Sequence, residues 1–217
     1  MGYTVTLVLS YSIIPALIAG LVRFRYLKSR YWPIIASFAL GSLNEVVSTL
    51  VISQGHSNAL NNNIFYLFEA LLLPIQFGKW GLFNSRRTLP LLLALFVVGW
   101  VWESTQLDIV SSFLCWFRIG SAAAFIFMSI VYVLKLIGGC SNPLLKEPGF
   151  VFCFGFCLYY LCILLTEFFL YDAAAYSLAF RDLLFRTLSF CNVIANFIYL
   201  TALLWVPRKP IYTTTYC

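Results

Sequence analysis

The chain has 217 residues, 62% of them apolar and only 10% charged, with a mean hydropathy of +0.90. Soluble domains average about 45–50% apolar and about 25% charged residues, so a soluble globular enzyme is excluded. The abundance of apolar and aromatic side chains excludes a disordered chain as well. A spanning helix needs about 20 apolar residues, so the sequence reads as an all-α, polytopic integral membrane protein.

Seven apolar windows follow one another along the chain, and a seven-transmembrane-helix bundle is expected. The first, residues 3–22, contains Pro15 and is followed by Arg23, Arg25, Lys28 and Arg30. A basic cluster after the window, with none before it, marks a retained helix over a cleaved leader. The second, 32–53, carries Ser37, Gly41, Asn44 and Ser48 as one stripe, with Glu45 at its edge. The polar loop 54–63 holds His56, the only histidine. The third window, 64–83, aligns Tyr66, Glu69 and Gln76 with the preceding Asn62, and contains Pro74. The fourth, 89–103, has no polar stripe and is expected to face lipid. The fifth, 110–137, presents Arg118, Ser121, Ser129 and Tyr132 together. The sixth, 149–171, contains Glu167. The seventh, 183–206, presents Ser189, Asn192, Asn196 and Tyr199, with Arg186 a turn above. Only short loops remain, so residues 1–217 are expected to form one transmembrane domain without a soluble domain.

Orientation follows from the basic residues. Eleven of the fourteen Lys and Arg fall after windows 1, 3, 5 and 7, all on one side if the N-terminus is outside and the C-terminus cytoplasmic. Only Glu147 among the eight acids joins them, leaving the inner side at +10 and the outer side at −4. The basic pI therefore reflects topology beside an anionic leaflet and predicts no nucleic-acid partner. The bilayer is the expected surrounding. No Asn-x-Ser/Thr acceptor occurs, which favours a bacterial cytoplasmic (inner) membrane.

Chemical motifs are sparse. One histidine cannot furnish a His-rich zinc centre, and Cys153 and Cys157 share a helix face with no further ligand pair, so no metal site or cofactor is expected. Bridges between Cys115 and Cys162, or Cys115 and Cys191, are conceivable. No GxSxG turn accompanies His56, and the seventh window has no Lys for a Schiff base. Neither Asp-Arg-Tyr after the third window nor Asn-Pro-x-x-Tyr in the seventh is present, against a G-protein-coupled receptor. No catalytic residue is assigned. The six tryptophans lie near window ends and read as interfacial belts.

The informative feature is five ionisable residues inside the windows: Glu45, Glu69, Arg118, Glu167 and Arg186. Facing lipid, each would cost at least about 2.5 kcal/mol, so they are expected to point inward, and all five fall in the outer half. Two arginines neutralise two of the three glutamates and leave one carboxylate over. That excess points to a cavity, with Asn44, Tyr66, Asn192 and Asn196 lining it and Tyr66, Trp116, Tyr159 and Tyr160 as aromatic walls. The expected function is binding of a small polar or zwitterionic ligand in an outward-facing Glu/Arg-lined cavity, as a sensor or transporter. Two alternatives stand beside it. One is an accessory subunit that docks a membrane protein partner and uses the ion pairs for packing only. The other is a membrane enzyme acting on lipid, with Glu45 or Glu69 as base.

Overall fold

The computed structural model describes residues 8–139, 144, 147–171 and 176–206, with nothing said of the side chains at 28 and 29. Residues 3–7 of the first window, the side chain of Lys28, and Cys140, Lys146, Asp172, Arg208, Lys209 and Cys217 lie outside that description. Among the described residues there are helices and no strand: a 3-10 turn, Tyr11–Ile13, and seven α-helices. These are α1 (Ile14–Val22), α2 (Phe24–Ser53), α3 (Ala59–Lys79), α4 (Thr88–Gln106), α5 (Cys115–Gly139), α6 (Pro148–Tyr171) and α7 (Leu178–Trp205).

Five of them are long and apolar enough to cross a membrane: the Arg30–Ser53 part of α2, then α4, α5, α6 and α7. Two expected spans fall short of that measure. The first is described only from Val8 and gives a short apolar helix. The third has the length but not the hydropathy, because Asn61, Asn62, Asn63, Glu69 and Gln76 lie along it.

Helix starts depart from the windows for local reasons. Helix α2 begins at Phe24, well before residue 32, because Lys and Arg are good helix formers and nothing breaks the backbone after Arg23. Arg23 alone, at φ −93° and ψ 2°, separates α1 from α2. Helix α7 begins at Leu178 instead of 183, since the Ser177 hydroxyl accepts the Phe180 amide at 3.3 Å and caps it. Pro15 sits in the first turn of α1, where its missing amide hydrogen costs nothing.

Successive helices pack on one another, and α1 closes the bundle against α7. The loops at 54–58 and 107–114, the end of α6 at Tyr171 and the start of α7 at Leu178 form one end, called here the mouth. The opposite, basic end carries Arg23, the segment 80–87 and Lys135. Arg23 is buried there and was expected in a loop. Its guanidinium donates to the carbonyls of Leu203 (2.8 Å), Leu204 (2.5 Å) and Val206, satisfying the last turn of α7 and complementing its dipole. Trp80, expected in an interfacial belt, is likewise buried, stacking on Tyr132 at 5.1 Å with Phe77 edge-on at 5.4 Å. Trp32, Trp102, Trp116 and Trp205 do present exposed surface.

In a bilayer, helices associate by close packing and polar contacts, with little hydrophobic drive between them. Gly155 shows this most sharply. A Cβ added there would lie 2.5 Å from the Tyr199 ring and 3.2 Å from Ile198, so the glycine sets how closely α6 meets α7. A Cβ at Gly120 would meet nothing within 4 Å. Gly155→Ala is therefore expected to lower stability by about 1–3 kcal/mol through overpacking, and Gly120→Ala to change it by under about 0.5 kcal/mol. Thermal melts in mild detergent read the difference.

Candidate functional site

The mouth is built on the asparagines that open α3. Asn61 donates to Asn44 Oδ1 and Ser48 Oγ, both at 2.8 Å, and Asn44 donates to Asn62 Oδ1 at 3.1 Å. These bonds lace α2 to α3 and explain why the helix starts at Ala59, with an asparagine run that its own propensity would disfavour. Asn63, 1% exposed, turns the other way. It donates to the carbonyls of Ile109 (3.1 Å) and Ser112 (2.8 Å) and accepts the Leu114 amide at 3.1 Å. In the same loop, hydrogen bonds from the Ser111 hydroxyl and the Val110 amide hold the Asp108 carboxyl below the usual carboxylate range.

Glu103, 3% exposed, gives α5 its start: one carboxylate oxygen accepts the Trp116 amide at 3.0 Å and the other the Phe117 amide at 2.6 Å. These amides belong to the first turn and have no partner within the helix. A carboxylate on them also complements the helix dipole.

The next residue of α5, Arg118, reaches inward. Its Nη2 lies 2.8 Å from Glu167 Oε1 and donates to the Tyr66 hydroxyl at 2.9 Å. The guanidinium carbon lies 4.2 Å from the Tyr66 ring centroid and 5.6 Å from that of Phe113. Helices α3, α5 and α6 are thus joined by one cation, with the Arg118 and Glu167 side chains 11% and 5% exposed. The Arg118 Nε stays buried without a hydrogen-bond partner.

Beside this pair opens a chamber of about 550 Å³, whose lining includes Glu45, Asn58, Arg118, Glu167 and Arg181. Arg181 also buries its Nε with no hydrogen-bond partner. A smaller pocket of about 60 Å³ shares Ser10 and Glu45 with the chamber, and Glu69, Asn192, Asn196 and Tyr160 line it. Glu69 is 7% exposed, and its Oε2 is buried without a hydrogen-bond partner. Asn196 donates to Ser12 Oγ at 2.8 Å and to Asn192 Oδ1 at 3.3 Å.

Of the nine residues expected from sequence, Glu45, Glu69, Arg118, Glu167, Asn44, Asn192 and Asn196 line these two spaces, and Tyr66 holds Arg118. Arg186 does not join them. It is exposed and pairs at 2.5 Å with Asp182 on the same helix. Arg181 takes the position expected for it, because about 100° per residue puts five residues some 140° apart around α7. Trp116 is not a wall of either space; it is 54% exposed and packs on Tyr171, the centroids 4.8 Å apart. Cys115 lines the chamber, whereas Cys162 and Cys191 meet each other at 2.9 Å as free thiols, a pairing the sequence did not suggest.

Glu103→Ala is expected to lower stability by about 1.5–3 kcal/mol, since it strips a charged acceptor from two amides. Thr105→Ala, exposed on the same helix, is expected to stay within about 0.5 kcal/mol. Parallel thermal melts of the two variants check this. No protein-family model, no curated protein and no solved structure matches the chain.

Proposed function

We propose that the chain is a seven-helix membrane protein that binds a small polar or zwitterionic ligand in its Glu/Arg-lined chamber, as a sensor or carrier. In this reading α3 crosses the bilayer as a polar central helix, since it links the mouth end of α2 to the basic end of α4. The distribution of Lys and Arg supports a mouth that opens to the outside. The missing glycosylation acceptor supports a bacterial cytoplasmic membrane.

One observation carries the proposal. Arg118 and Arg181 line the chamber together with Glu45, each with a buried Nε that has no hydrogen-bond partner, and Glu69 lines the adjoining pocket with an unpartnered oxygen. A dry structural ion-pair network would leave no such surplus. A ligand carboxylate or phosphate fits the arginines, and its ammonium fits the Glu45 side.

A screen of amino acids, betaines and phosphate monoesters by thermal shift tests it. At least one zwitterion is expected to raise the melting temperature saturably. Arg181→Gln and Glu45→Gln are each expected to weaken that ligand by about tenfold, or about 1.4 kcal/mol, without disturbing the Arg118–Glu167 pair. A screen in which no compound shifts the wild type contradicts the reading.

A second reading, a subunit of a larger complex, draws on α4. Leu91, Leu95, Val98 and Trp102 form an apolar stripe at helical spacing, each more than half exposed. It requires that native membranes yield the chain in a larger assembly, and a monodisperse monomer counts against it.

A further inference from the structure

We infer that the pocket beneath the chamber is a binding site for a monovalent alkali cation, held by Glu69 and Glu45 with amide and hydroxyl oxygens around them. The inference deepens the chamber reading, because the cation would reach its site through the chamber.

Three observations carry it. First, the pocket has no basic residue in its lining, yet both Glu45 and Glu69 border it. Arg118 lines the chamber and not this pocket, and it pairs with Glu167 and the Tyr66 hydroxyl. Second, Glu69, which lines the pocket, is more than nine-tenths buried, and its Oε2 has no hydrogen-bond partner. A buried carboxylate in that state is costly unless a counter-charge or a proton meets it. Third, the remaining polar lining is oxygen-rich: Ser10, Ser37, Asn44, Tyr159, Tyr160 and Asn192. Hard oxygen ligands of this kind suit an alkali or alkaline-earth ion over a thiolate- or imidazole-seeking transition metal.

Size and charge narrow the choice. The pocket offers about 60 Å³, and one water needs about 10–15 Å³ of such space, so an ion and a few waters fit but an organic ligand does not. Glu69 is the one carboxylate enclosed there, since Glu45 is half-buried and shared with the chamber, so a single positive charge balances the enclosed one. Glu45 borders both spaces, so an ion below and a ligand above would share one carboxylate and bind with linked affinities.

The test uses the full chain in detergent at pH 8, with no amino acid, betaine or phosphate ester present. Its melting temperature is followed as NaCl or KCl replaces choline chloride at constant ionic strength. A saturable rise of several degrees with at least one alkali ion is expected. Glu69→Gln, which keeps shape and removes charge, is expected to abolish the rise, and Glu45→Gln to move its midpoint to higher salt. Equal melting in all three salts overturns the inference and leaves a proton on Glu69 as the counter-charge. Should Glu69→Gln fail to fold, equilibrium binding of radioactive sodium or its potassium analogue to the wild type decides. About one ion per chain supports the site, and no bound ion overturns it. Because no zwitterion or phosphate ester enters these measurements, a failed ligand screen leaves the cation site standing. A failed salt titration likewise leaves the chamber reading standing.

Discussion

Lipid offers polar groups no hydrogen-bond partners, and the polar face of α3 is what the rest of this structure answers to. If α3 crosses the bilayer as proposed, Asn61, Asn62, Asn63, Glu69 and Gln76 could not face hydrocarbon, and in the structure each is buried or half-buried among the other helices. Asn61 and Asn62 lace α3 to α2, and Asn63 fastens the loop before α5. Gln76, fully buried, donates to the Arg30 carbonyl at 2.7 Å near the basic end. Once those bonds are made, α3 can turn Tyr66 and Glu69 only toward the space shared with α5 and α6. The chamber and its pocket are what remains of that space after Arg118 and Glu167 have paired.

The two ends of the bundle are finished by different chemistry. At the basic end a single buried arginine collects three carbonyls of α7, and an aromatic group around Trp80 fills the interior. At the mouth the corresponding tasks fall to a carboxylate and a hydroxyl, Glu103 accepting the first amides of α5 and Ser177 capping α7. Each charge is matched to the helix terminus it meets, a cation at the carbonyl end and an anion at the amide end. Among the described residues, the basic end is therefore packed with aromatic side chains, and the mouth is polar.

Much of this was legible in the sequence because burial of polar residues in a bilayer is so strongly constrained. Glu45, Glu69, Arg118 and Glu167 could be read as inward-facing from their type and position alone, and Ser37, Asn44, Ser48, Ser121, Ser129 and Tyr132 are buried as their helical spacing requires. Arg181 was not, because apolar windows place the start of α7 too late; the Ser177 cap was the signal that moves it. With Arg181 inside the helix, Arg186 falls on another face and finds Asp182 one turn away. Trp80 and Arg23 escaped for a related reason. Both lie at window ends, where sequence pattern gives depth along the membrane but not the direction of the side chain, and their partners come from distant helices.

The central claim is that a hydrated chamber opens to the outside between α2, α5, α6 and α7. Thr49 lines that chamber on α2, which makes it a direct reporter. A Thr49→Cys variant in an otherwise cysteine-free chain, exposed on intact cells to a membrane-impermeant maleimide, measures access. The account predicts labelling from outside without permeabilisation, slowed by any ligand that fills the chamber. Labelling only from the cytoplasmic side, or none from either side, contradicts it.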